Sequence, residues 1–146
     1  KLLSEKLKYS FFDTDEEIEK KEKTKIKNIF SEMGEDYFRS VETSIFDELM
    51  NKDKIVISTG GGLILKNFNK LRQSFNIYLY CNLDILIKRT SRNNLRPLLN
   101  KNKSLQMKNL FNERKEIYNN IADITVNATN PKNTIKEILK EINNDN

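Results

Sequence analysis

The stretch Lys54-Ile55-Val56-Ile57-Ser58-Thr59-Gly60-Gly61-Gly62 decides how this chain folds. Its short apolar run, rich in β-branched residues, predicts a buried strand, and the glycines end it. Only four glycines occur in 146 residues, and three of them stand here in a row. A glycine turn after a strand lets backbone N–H groups approach an anion closely. The same turn can be a plain strand-to-helix connection, and spacing alone leaves the two readings even. The run is not GxGxxG, so a dinucleotide fingerprint is not supported.

Upstream, Leu2, Leu3 and Leu7 mark a helix over 2–8, and Ser10-Phe11-Phe12-Asp13 predicts a short strand. Thr14 is expected as an N-cap, with Asp15, Glu16 and Glu17 in the first helical turn. That helix should reach about Lys21. Another is expected near 26–33, with Gly34 as punctuation. Over 35–52, Phe38, Val41, Ile45 and Leu49 recur at helical spacing. Downstream, the pattern predicts a helix over 67–74, a strand over 76–80 and a helix marked by Leu83, Leu86 and Ile87. A helix over 104–121, a strand over 123–127 and a helix over 131–142 follow. Residues 91–104 break the periodicity and predict a surface loop or a lid. Strands alternating with helices through short connections predict the α/β class, a mostly parallel sheet and one domain spanning 1–146.

Composition narrows the chemistry. Apolar residues make up 37% and charged residues 32%, but the apolar ones fall in periodic blocks, so a folded domain is expected. No apolar run approaches the ~20 residues of a membrane span, and Lys1–Lys6 show no signal-peptide core. Cys81 is the single cysteine, which fits a reducing cytoplasm. There is no histidine, which excludes Ser-His and Cys-His catalysis and His-ligated metals. Acid–base work falls to Asp, Glu, Lys or Tyr. The net charge is +5, yet the lysines are interleaved with acids, as on a solvated surface rather than a nucleic-acid footprint.

Some side chains sit oddly for a bland fold. Arg114 falls within the stripe Met107, Leu110, Phe111, Ile117, Tyr118 and Ile121, where a charge is costly without a partner. A bound anion or an internal carboxylate would answer it; so would snorkelling to solvent. Glu42 lies in the stripe of the 35–52 helix, three residues after Arg39. It can orient the Arg39 fork toward a ligand or form a local ion pair. Asp13 and Asp15 stand at a strand's carboxyl end, where ligands gather in parallel sheets. They can hold Mg²⁺ through water, take a hydroxyl proton, or simply cap a helix. Arg89, Arg92 and Arg96-Pro97 suggest a lid that lowers cations onto phosphates, or else a solvated loop.

Taken together these segments resemble shikimate kinase, a P-loop kinase of the nucleoside-monophosphate-kinase type. The resemblance rests on Phe12-Asp13-Thr14-Asp15 with Ile18-Glu19, Ile29-Phe30…Gly34-Glu35, Phe38-Arg39…Glu42 and Ser58-Thr59-Gly60-Gly61-Gly62. It continues through Arg89…Leu95-Arg96-Pro97-Leu98-Leu99, Glu113-Arg114…Tyr118 and Asn130-Pro131. It implies a three-layer α/β fold and ATP-dependent phosphorylation of the shikimate 3-hydroxyl, a step toward chorismate and the aromatic amino acids. It further implies that Asp15 binds the hydroxyls and accepts the proton, and that Arg39 and Arg114 hold the carboxylate. Gly60, Gly61 and Gly62 would present the turn, Glu42 would hold Arg39, and Phe30 and Phe38 would line the pocket. Asp13 would help hold Mg²⁺ through water, Arg96 would reach the ATP phosphates, and Arg89 with Asn130-Pro131 would flank adenine. A cytoplasmic monomer is expected, with no nucleic-acid or membrane partner. The family's first, central strand and its GxxxxGK[ST] loop are not found in this sequence. The chain as given is therefore expected to be inactive by itself. The alternative is a non-catalytic small-carboxylate-binding module derived from such a kinase.

Overall fold

A computed structural model describes residues 1–92 and 103–144, with side chains described over 1–89 and 105–143. The chain divides into two compact units, Lys1–Asn67 and Phe68–Asn146.

In the first unit, α1 (Leu2–Leu7) leads to β1 (Ser10–Asp13), followed by α2 (Thr14–Glu22), α3 (Ile26–Glu32), α4 (Gly34–Met50) and β2 (Ile55–Ser58). β1 and β2 pair in parallel, Ser10 opposite Ile55 through Asp13 opposite Ser58. This register brings Asp13 and the entry to the glycine turn to the same, carboxyl, end of the strand pair. α4 buries Phe38, Val41, Glu42, Ile45, Phe46 and Leu49. Phe38, Val41, Ile45 and Leu49 form the core with Ile18 of α2 and Ile29 of α3, and Phe12, Phe30, Ile55 and Ile57 pack against it. Gly34 opens α4 at φ +83°, a conformation that costs a side-chain-bearing residue about 1 kcal/mol.

Most boundaries shift by a residue or two from the sequence expectation, and two departures bear on the site. The cap of α2 is Asp13, whose Oδ1 accepts from the N–H groups of Asp15 (3.0 Å) and Glu16 (3.4 Å). Thr14 is instead fully buried as the first helical residue. The helix expected over 67–74 is α5, Ile64–Leu71. It starts earlier because the glycine turn feeds straight into it: Leu63 N–H donates to the Gly60 carbonyl and Leu65 N–H to that of Gly62. Asn67, buried and non-helical (φ −122°, ψ 19°), kinks it.

In the second unit, β3 (Ile77–Tyr80), α6 (Leu83–Arg92), α7 (Lys103–Ile121), β4 (Ile124–Asn127) and α8 (Pro131–Asn144) follow in order. β3 and β4 pair in parallel, Ile77 opposite Ile124 through Tyr80 opposite Asn127. Tyr78 and Tyr80, on one face of β3, meet Tyr118 and Phe111 of α7 at ring separations of 5.0 and 6.2 Å. Burial pushes the Tyr78 phenol up from its ordinary value. The expected α/β class with parallel strands and flanking helices is what the structure holds. The lid expected over 91–104, with Arg96, lies outside the described residues apart from its ends, where α6 reaches Arg92 and α7 begins at Lys103.

Candidate active site

The first unit gathers several of the singled-out residues around the glycine turn. Gly60 N–H donates to Thr14 Oγ1 at 3.2 Å, tying the turn to the β1–α2 junction. That N–H is thus engaged within the protein, and what Gly60 contributes is room. A Cβ there would lie 3.3 Å from Asp15 Oδ1 and 3.4 Å from Glu42 Oε1. Two carboxylates therefore face the same backbone atom, one from the exposed start of α2 and one from the buried face of α4.

Gly62 is tighter. A Cβ there would stand 2.5 Å from both Nη atoms of Arg39 and 2.7 Å from its Cζ. Only glycine lets the guanidinium sit against this backbone. Arg39 reaches the turn from one turn into α4, and Glu42 holds it there through a 2.6 Å contact between Oε2 and Nη1. The Glu42 side chain is 1% exposed and that of Arg39 13%. Pairs this buried are not stability devices, but breaking one strands a charge at a cost of roughly 3–5 kcal/mol. Glu35, on the surface, bridges Arg39 Nε and Nη2 at 3.3 and 3.2 Å. Burial pulls the Arg39 guanidinium's pKa down, Glu42 and Glu35 more than reverse this, and the net shift is upward. Phe38 lies under the guanidinium, 5.1 Å from its centroid, and stacks with Phe30 at 4.6 Å.

In the second unit, the expected stripe of α7 is present, with Met107, Leu110, Phe111, Arg114, Ile117, Tyr118 and Ile121 each partly buried. None is fully buried, so the desolvation penalty inferred for Arg114 from its position is smaller than a core site would impose. Arg89 donates from Nη1 and Nη2 to the carbonyls of Ala128 (3.1 Å) and Thr129 (2.9 Å). Asn130 caps α8 through Oδ1, accepting from Lys132 and Asn133 N–H, and Pro131 takes the first helical position, where its missing N–H is harmless. Arg89 thus holds the two residues that immediately precede the Asn130-Pro131 turn.

Among the described residues no three His, Cys, Asp or Glu side chains cluster as a metal cage. Mg²⁺ keeps several waters and often takes only one or two carboxylates beside substrate phosphates, so a water-mediated contact to Asp13 fits this donor set.

The family model described as shikimate kinase matches residues 1–143. The chain belongs to the shikimate kinase family. A shikimate kinase of Persephonella marina is 41% identical, with 97% of this chain and 88% of that protein covered. One of Aquifex aeolicus is 39% identical over 97% of this chain and 83% of its own length. Among solved structures, the shikimate kinase of Acinetobacter baumannii in complex with shikimate superposes with a TM-score of 0.92. It is 33% identical, with 98% of this chain and 83% of that one covered. The Aquifex aeolicus structure gives 0.87 at 36% identity, covering 99% and 87%. Within the shikimate kinase framework, sequence reasoning missed two contributors. Glu35 was legible, since it stands at i−4 from Arg39, where helical ion pairs form. Thr14 was hidden, because a polar residue opening a helix reads as a cap rather than as a buried acceptor for a turn 46 positions away.

Proposed function

We propose that the cradle of Arg39, Glu42 and Gly62 receives the carboxylate of shikimate while Asp15 addresses the hydroxyl that takes the phosphoryl group. The activity is the family's: a kinase acting on shikimate, with ATP as phosphate donor. The observation that carries the residue assignment is the Arg39 guanidinium, locked by a buried carboxylate 2.6 Å away against a turn that admits only glycine. A planar fork held that rigidly suits bidentate carboxylate binding, and much of phosphoryl transfer is positioning. Asp15, exposed and beside Gly60, orients the 3-hydroxyl and takes its proton as the bond to phosphorus forms. Phe30 and Phe38 give the sugar-like ring an apolar wall, and Gly61 offers its backbone to the substrate.

Asp13 is assigned to Mg²⁺ through water; when bound, the ion neutralises phosphate charge. Arg114 is assigned to the substrate, Arg96 to the ATP phosphates, and Arg89 with Asn130 and Pro131 to adenine. Residues 1–146 contain no GxxxxGK[ST] run, and none of them is assigned to a phosphate-cradling loop. A single kinase domain, acting as a cytoplasmic monomer in aromatic amino-acid biosynthesis, completes the reading; no helix among the described residues is long and apolar enough to cross a membrane.

A coupled assay on the full-length protein tests this reading. ADP formation should depend on shikimate, and Asp15→Asn should abolish turnover while shikimate still binds by calorimetry. Binding without turnover in the unaltered protein would leave only a carboxylate-binding module. Full turnover in Asp15→Asn would remove that residue's role.

A further inference from the structure

Arg39 is held by two carboxylates of opposite character. Glu42 is 1% exposed and takes Nη1 at 2.6 Å, while Glu35 is 59% exposed and spans Nε and Nη2 with the single oxygen Oε1. The Nη1–Nη2 end of the guanidinium backs onto Gly62. The two-donor edge left facing away from the turn is Nε–Nη2, the edge that Glu35 occupies. A free carboxylate would cover that edge with two oxygens and two parallel hydrogen bonds.

We propose that Glu35 is an internal stand-in for the substrate's carboxylate: it holds the Nε–Nη2 edge of Arg39 until shikimate displaces it, and thereby sets the affinity for the acid by competition. This rests on the reading of Arg39 as the carboxylate grip. Exposure decides which partner yields. Releasing Glu42 would leave a charge in the core, which is strongly unfavourable. Releasing Glu35 frees a surface side chain into water, where an i,i+4 pair is worth little. Glu42 is thus the permanent anchor and Glu35 the exchangeable one. The exchange keeps the fork aligned without substrate, at the expense of some affinity.

Titration calorimetry on the full-length protein, with shikimate and with its methyl ester, tests the exchange. Glu35→Gln and Glu35→Ala should each tighten shikimate binding, by about two- to five-fold from the usual strength of an exposed pair. Neither should change the affinity for the ester, which lacks the competing charge. A purely structural role predicts weaker binding, a folding effect moves acid and ester together, and long-range charge repulsion gives the acid a gain that disappears at high salt; any of these, or no change, overturns the proposal. Arg39→Lys separates the two levels. If it leaves shikimate affinity intact, the carboxylate-grip reading fails. If it weakens binding while the Glu35 variants fail to tighten it, the competition alone fails.

Discussion

Replacing Gly62 with alanine perturbs the cradle at its narrowest point. The added methyl would stand 2.5 Å from Nη1 and Nη2 of Arg39, against a comfortable separation of about 3.5 Å. Something must therefore move by about 1 Å, and the side chain gives more readily than a turn tied to Thr14. Moving Nη1 that far stretches the 2.6 Å contact to Glu42 beyond any hydrogen bond. Glu42 then keeps a buried charge that is poorly compensated. Breaking such a pair outright costs roughly 3–5 kcal/mol, and partial relaxation of Arg39 toward solvent brings the expectation to about 3 kcal/mol. For a chain of this length that lowers Tm by roughly 6–12 °C. Because the same shift misplaces the carboxylate grip proposed for Arg39 by about 1 Å, kcat/KM for shikimate should fall on the order of 100-fold. Thermal unfolding by circular dichroism and the coupled assay read the two effects. The decisive comparison is a double-mutant cycle with Arg39→Ala. If Gly62→Ala costs as much stability without the guanidinium as with it, the clash is elsewhere and the reasoning is wrong.

Two further outcomes follow from other parts of the chain. Arg89→Ala frees the carbonyls of Ala128 and Thr129, so KM for ATP should rise severalfold while KM for shikimate stays near its original value; equal movement of both would refute the adenine assignment. Glu19 is held below its ordinary value of 4.5 by Lys25, 2.6 Å away, and by the Ile26 N–H. Its folded pKa is depressed, so its stabilisation is complete above about pH 4.5 and is lost as pH falls through the folded value. Glu19→Gln should make acid unfolding less steep in that window, with little effect at pH 7; an unchanged acid limb would exclude the linkage.

The sequence made the repeating elements plain because their causes are local. Phe38, Val41, Ile45 and Leu49 mark α4 by spacing alone, and the same stripe carries Glu42 into the core. The oddity of a glutamate there pointed to Arg39, one turn away. What spacing could not supply was the meeting of Arg39 with Gly62, since the contact depends on how α4 packs over the end of β2. The Asp13 cap was misassigned by one residue for a similar reason. Both Asp13 and Thr14 can cap a helix, and only the pairing of β1 with β2 brings Thr14 under Gly60. The depth of Arg114 was not legible, because a helical stripe shows direction but not depth, and α7 leaves its stripe partly exposed. The grip of Arg89 on two backbone carbonyls 39 and 40 positions ahead had no signal in spacing; only the family resemblance set Arg89 beside the Asn130-Pro131 turn.

The most direct test of the account is the affinity of the full-length Arg39→Lys protein for shikimate, measured by calorimetry. Lysine keeps a charge for Glu42 but loses the planar fork. The account predicts an affinity loss of about 10- to 100-fold, the worth of a charge-assisted hydrogen-bond pair, with the fold retained. An unchanged dissociation constant in a folded protein would contradict it.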